Sequence, residues 1–292
     1  MDKQDLIVAW DFTTASQDNL TRWALQMRDE SFAALGDAAP TWSLTEEVSD
    51  WENDTIMHRL KGTFEAPLYM TGPGSGQRLN LDADGVLTQN GTVDVPFEII
   101  IPNVAANGPV ALMQHGHGLL GSYTQIESSH FREVADQYGY AVFGVDLVGM
   151  ATNDVATIAG ALVTGDIGGL AKMTDRLHQG ALNHLLAMRV MHAGLASDPT
   201  YGALLNGDER YYYSISQGGI FGGVYMGLST EVTRGVLDVP GQPYNLLLRR
   251  SVDFDGYLDI LAGANASAKA ALPRGGRAAV VLPAAVAGGA GV

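Results

Sequence analysis

The sequence predicts an α/β fold, a mostly parallel sheet with helices on both faces, and three observations predict it. From Pro109 onward, short apolar runs alternate with helical stretches, the pattern of parallel strands joined by helical crossovers. One such run, Tyr211-Tyr212-Tyr213, passes directly into Ser214-Ile215-Ser216-Gln217-Gly218-Gly219, a strand delivered into a tight turn that can continue as a helix. Finally, 46% of the 292 residues are hydrophobic and the mean hydropathy is +0.05, enough for a sizeable core and against global disorder.

Taken in order, residues 5–14 alternate like a strand, so early in the chain that a piece of something longer is expected. Asn19 to Leu35 reads as an amphipathic helix, with Leu20, Trp23, Ala24, Met27 and Phe32 at helical spacing and Asp18 or Asn19 as N-cap. From Thr41 to Pro102 the text is β, with strands at 42–45, 56–64, 66–70 and 93–101 separated by turn-rich segments at 71–76 and 82–85. Asp82-x-Asp84-Gly85 opens like a calcium loop but lacks the remaining ligand spacing, and a hairpin turn accounts for it better.

Strands then follow at 110–114, 140–145, from Tyr211, and at 232–239, with helices at 123–138 and 175–193. Residues 150–175 are rich in Gly, Ala and Thr and are expected to be poorly ordered, cap-forming insertions. Residues 262–292 are more than half Ala and Gly with little periodicity. Such text is what a GC-rich gene yields in a shifted frame, and a non-native or flexible tail is expected; a buried last strand at 278–282 is the alternative. The expected division is a β-rich segment with one helix over 1–93, an α/β core over 94–260 and the tail over 261–292.

Composition narrows the function classes. A formal net charge of −15 and a pI near 4.7 argue against nucleic acid or an anionic membrane as partner, since both require Lys/Arg patches. The absence of cysteine excludes disulfides, Cys-ligated zinc and thiol catalysis. Met1 is followed by Asp-Lys-Gln-Asp rather than a basic segment and an apolar run, so no signal peptide is read, and the compartment stays open. No stretch reaches the roughly 18–20 apolar residues that span a bilayer.

The turn at Ser216 has the form of a nucleophile elbow, a serine on a strained turn between a buried strand and a helix. A Cβ at Gly218 would crowd the neighbouring strand, and Gly219 lets the helix pack close to the sheet. Ser214 stands where the usual pattern has glycine. The alternative is a Gly-rich turn whose serine only caps the helix. His115 and His117 lie in a Gly-rich loop and read as imidazoles that hold it in shape; His115-x-His117 could begin a metal site, but no further ligand follows at a matching offset.

The middle of the chain resembles the α/β-hydrolase superfamily, through the Gln114-His115-Gly116-His117-Gly118-Leu119-Leu120-Gly121-Ser122 loop, Ser214-Ile215-Ser216-Gln217-Gly218-Gly219, and Gly235-Val236-Leu237-Asp238-Val239-Pro240-Gly241. With Leu6-Ile7-Val8-Ala9-Trp10-Asp11-Phe12-Thr13-Thr14-Ala15-Ser16 added, residues 1–260 resemble the large secreted bacterial lipases and esterases that include the virulence-factor lipases. The resemblance implies hydrolysis of small-molecule carboxylic esters by Ser216 with no metal or organic cofactor. It also implies an oxyanion hole made by the N–H of Gln217 and one from the loop after an earlier strand, His117 first, then Gly118 or Leu119. A longer parent chain with an export signal and a β-rich N-terminal domain is implied as well.

One departure matters. The triad order in this superfamily is Ser, Asp or Glu, then His, yet no histidine follows His192. Three explanations are open: a truncated, frame-shifted copy with weak or no activity; an upstream histidine, best placed in His117 or His115; or a base from another residue or subunit. His178, His184 and His192 share one helical stretch and read as solvated or core-capping. Asp238 is the first expectation for the acid, with a turn role before Pro240 competing, and Asp253-Phe254-Asp255 is second; Asp146 reads as a loop-shaping residue. A catalytically silent remnant that binds small apolar ligands is the competing function. A sheet edge left bare after Val239 predicts self-association.

Overall fold

The computed structural model describes residues 15–51, 55–241, 247 and 250–271. The strand expected at 5–14 and the segment 272–292 lie outside them. In chain order the elements are α1 (Gln17–Leu35), β1 (Trp42–Ser49), β2 (Ile56–Pro67), β3 (Thr92–Pro102), β4 (Val110–Gly116), α2 (Ser129–Tyr138), β5 (Tyr140–Val145), α3 (Val155–Thr164), α4 (Ala171–Arg189), β6 (Leu205–Ile215), α5 (Gln217–Leu228), β7 (Arg234–Asp238) and α6 (Asp255–Ala271).

All seven strands form one sheet in the order β1-β2-β3-β5-β4-β6-β7. β5, β4, β6 and β7 pair in parallel, while β3 pairs antiparallel with both β5 and β2, and β2 with β1. The N-terminal strands therefore extend the same sheet as the α/β part. Strands in its middle are buried on both faces. Ile99 and Ile101 of β3 and Phe143 of β5 enter the larger core under α1, α4 and α5. Ile100 and Val142 face Phe131 and Ala135 of α2 on the other side. This two-sided burial explains why those strands read as continuous apolar runs.

Buried polar groups tie the helices to the sheet. Gln114 of β4 donates from Nε2 to the His184 carbonyl of α4 at 3.0 Å and accepts from the Tyr225 hydroxyl of α5 at 2.7 Å. Asp154, just before α3, pairs with Arg176 Nε of α4 at 2.9 Å.

Several local expectations differ from the structure for identifiable reasons. Ser16, whose Oγ accepts from the Asn19 N–H at 3.0 Å, caps α1 in place of Asp18 or Asn19. Leu20, one turn in, projects outward and is 60% exposed. The helix expected at 123–138 is broken at Ser128, whose extended backbone (ψ 154°) separates a 3₁₀ turn at Tyr123–Glu127 from α2. Residues 150–175 are ordered: α3, the Ile167–Leu170 turn and the start of α4 carry the apolar side chains Ile158, Leu162, Leu170 and Met173 onto a separate small core. The Ala-rich text hid a helix because alanine supplies propensity without periodicity. α6 runs across the boundary expected at residue 260. At residues 82–86, Asp82 Oδ1 accepts from the Asp84 and Val86 N–H groups, each at 2.9 Å, the turn role expected of it.

Candidate active site

β6 ends at Ile215 and α5 begins at Gln217, so Ser216 alone makes the turn between strand and helix. It has φ 57° and ψ −119°, a backbone region that costs a non-glycine residue on the order of 1–3 kcal/mol. Two hydrogen bonds hold it there: the Ser216 N–H donates to the Asp238 carbonyl, and the Ser216 carbonyl accepts from the Ile220 N–H, both at 3.0 Å.

Close approach of the backbone dictates the neighbouring residues. A Cβ on Gly218 would overlap the Gly116 carbonyl of β4, and one on Gly219 would lie 2.6 Å from the Asp238 carbonyl oxygen of β7. Both glycines do what their positions in the sequence predict. Ser214, where glycine is usual, is fully buried, and a Cβ on Gly222 of α5 would stand 3.2 Å from its Oγ. The bare Cα of Gly222 thus makes the room that Ser214 requires. Leu120 and Val239, on either side of the turn, also have positive φ, 51° and 43°. Three of the four non-glycine residues of that kind among the described residues therefore surround one place.

The His-Gly loop leaves β4 beside this turn, with Gly116 in parallel register with Ser214. His117 is buried and both its ring nitrogens are engaged: the Leu147 N–H donates to Nε2 at 2.8 Å, so Nδ1 carries the proton and donates to the Gly118 carbonyl at 2.8 Å. Burial holds its pKa below the usual range. His115 is also buried, its Nδ1 3.0 Å from the Tyr213 carbonyl and its Nε2 3.1 Å from Gln125 Oε1, and burial lowers its pKa to about 4. His117 has no nitrogen left for the Ser216 proton, and each His115 nitrogen already faces a protein oxygen. The geometry thus turns away from both as the base and agrees with the loop-shaping role. The Gly118 N–H donates to Gln125 Oε1 at 2.9 Å, which takes it out of the set of oxyanion donors.

A small cavity opens at Ser216, lined by Leu119, Gln217, Ile220, Ser251, Asp253 and Phe254 among others. No histidine lines it among the described residues. Asp253 is the acidic residue among those lining it. Asp238 offers its carbonyl to Ser216 instead, while its exposed carboxylate lies toward Tyr213, whose phenol pKa rises through burial first and that carboxylate second.

The remaining candidates fall elsewhere. His184 is fully buried, with Nδ1 3.0 Å from the Gly180 carbonyl and its ring against Phe221, and burial lowers its pKa to about 3. His192 lies 3.0 Å from Glu231, and His178 stacks edge-on against Trp23. Asp146 accepts from the Tyr123 N–H at 2.9 Å, shaping the loop after β4. Gln125, the residue that fixes both His115 and Gly118, gave no signal in the sequence, because a lone glutamine in a loop has no pattern.

No protein-family model matches the chain, and no curated protein sequence matches it. Among solved structures, acetyl xylan esterase 1 from Thermoanaerobacterium sp. JW/SL YS485 is 15% identical with a TM-score of 0.48, the match covering 89% of this chain and 69% of that one. An acetyl xylan esterase from Paenibacillus sp. R4 is 14% identical with a TM-score of 0.47, covering 86% and 68%. A CE15 glucuronoyl esterase from Teredinibacter turnerae T7901 is 14% identical with a TM-score of 0.41, covering 71% and 47%. The fold itself is defined by the chain's own geometry. With a parallel β5-β4-β6-β7 half-sheet, antiparallel strands beyond it, helices on both faces and a serine alone between β6 and α5, the chain has an α/β-hydrolase fold.

Proposed function

We propose that this protein is a serine carboxylic ester hydrolase, an esterase or lipase in which Ser216 is the nucleophile of an elbow. The observation that carries the reading is the strained backbone of Ser216 between a buried strand and a helix. Ser216 Oγ attacks the ester carbonyl carbon. The Gln217 N–H and one from the loop after β4 hold the oxyanion; with Gly118 bonded to Gln125, that second donor is His117 or Leu119. The intermediate collapses to an acyl-enzyme and an alcohol, and water then releases the acid.

In this reading Asp253, which lines the same cavity, takes the proton. With no histidine lining the cavity among the described residues, turnover is expected to be slow. Asp238 acts by holding the turn. No cofactor is required, and an exposed β7 edge, with Val236 60% exposed, favours self-association.

The test is turnover of p-nitrophenyl acetate, with fluorophosphonate labelling mapped by mass spectrometry. Label on Ser216, and turnover that disappears in Ser216→Ala, support the proposal; equal rates in both proteins refute it. A second reading, a silent remnant that binds small apolar ligands, is favoured by the lack of histidine around Ser216 among the described residues. Folded protein that takes no label would select it.

A further inference from the structure

A second cavity lies against the one at Ser216. Its walls include Leu120, Met150, Ile158, Leu162, Phe254 and Tyr257, and its volume is about 150 Å³. It is built by the small core that α3, the start of α4 and α6 form apart from the main one. No charged side chain lines it among the described residues. Two features join it to Ser216. Phe254 is a wall of both cavities. The consecutive residues Leu119 and Leu120 line one each, parted by the left-handed backbone of Leu120 at φ 51°.

A space of about 150 Å³ with aliphatic and aromatic walls matches a benzene-sized molecule. An apolar group that enters it leaves no polar atom of the described lining unpaired. We propose that this cavity holds the apolar group of the ester, and that it selects groups of about six carbons or one aromatic ring. Acetyl and ethyl groups leave it mostly empty; groups much longer than six carbons exceed it. The proposal rests on the ester-hydrolase reading for its substrate, but the cavity's affinity for apolar groups does not depend on that reading.

Two arms separate the acyl from the alcohol side: ethyl hexanoate and hexyl acetate, each compared with ethyl acetate by kcat/KM. Burial of one methylene is worth about fourfold in affinity or rate, so four of them set a ceiling of about 200-fold. A preference of at least about tenfold for one six-carbon ester is expected, and dodecanoate should lose it. Leu162→Phe should cut that ratio, and Leu162→Ala should move the optimum to a longer group. Both six-carbon esters within threefold of ethyl acetate, or a ratio unmoved by both variants, would overturn the proposal.

If no ester is turned over, the hydrolase reading fails by itself, and saturation-transfer NMR with toluene decides the cavity. Toluene contact in the unaltered protein that weakens in Leu162→Phe upholds an apolar-group site; no contact overturns it.

Discussion

Arg176→Met isolates the pair that joins α4 to the turn before α3. Arg176 Nε lies 2.9 Å from Asp154 Oδ1, with side-chain exposures of only 8% and 3%. Its Nη1 also donates to the carbonyls of Pro73 and Gly74, at 2.9 and 2.7 Å. Pro73 and Gly74 are exposed, so water replaces the donor they lose. Asp154 has no such relief: it keeps the Gly149 and Ala151 N–H groups on Oδ2, at 2.6 and 3.2 Å, and loses the cation paired with Oδ1. Breaking one side of a buried pair costs about 3–5 kcal/mol. The two retained donors place the expectation near the lower end, about 3 kcal/mol. At about 2–4 °C per kcal/mol for a chain somewhat smaller than this one, Tm should fall by roughly 6–12 °C. Urea unfolding followed by circular dichroism reads both quantities. Adding Asp154→Asn to Arg176→Met removes the stranded charge and should recover at least about 1 kcal/mol of coupling. A single variant within about 0.5 kcal/mol of the parent, the range of ordinary surface substitutions, would refute the reasoning.

Other expectations follow from the same contacts. Tyr225→Phe strands Gln114 Oε1 in the core and should cost about 1–3 kcal/mol in the urea midpoint. Gly218→Ala drives a methyl group into the Gly116 carbonyl and should cost at least about 1–3 kcal/mol, seen as a lowered melting temperature or loss of soluble protein. Stability should also fall with acid. His184 and His115 take up protons in the unfolded chain near pH 6.5, but in the fold only near pH 3 and pH 4. Their contribution is complete above pH 6.5 and declines below it, each by up to about 1.4 kcal/mol per pH unit. Urea midpoints at pH 5 equal to those at pH 7 would contradict this. Glu98 acts in the opposite sense. Burial first and the adjoining Glu127 carboxylate second raise its pKa to about 8, so its share is present in acid and lost as pH rises toward that value. Glu98→Gln should therefore flatten the alkaline side of the profile, and an unchanged slope between pH 6.5 and pH 9 would rule that out.

The parallel half of the sheet was legible because β4 and β5 are buried on both faces and so appear as apolar runs. The Ser216 turn was legible because its backbone crowding admits only small residues at Gly218 and Gly219. The first half of β6 was not: β6 begins at Leu205, and Asp208, Glu209 and Arg210 hide a strand behind charge. The order of residues 150–175 was missed for another reason. Their helices pack on one another in a satellite core, so their Ala- and Gly-rich text shows no stripe toward the main one.

By itself the sequence determined the α/β alternation, the serine at its tightest turn, the glycines around it and the want of any histidine beyond His192, since each depends on residue type and order along the chain. Tertiary structure decided which of the named residues meet. It committed both nitrogens of His117 to Leu147 and Gly118, gave the Gly118 N–H to Gln125, paired the Asp238 carbonyl with the Ser216 N–H, and put Asp253 and Phe254 on the wall of the cavity at that serine. The physical reason is that a hydrogen bond or a cavity wall depends on distance and direction, and these are fixed only when strands and loops far apart in sequence pack together.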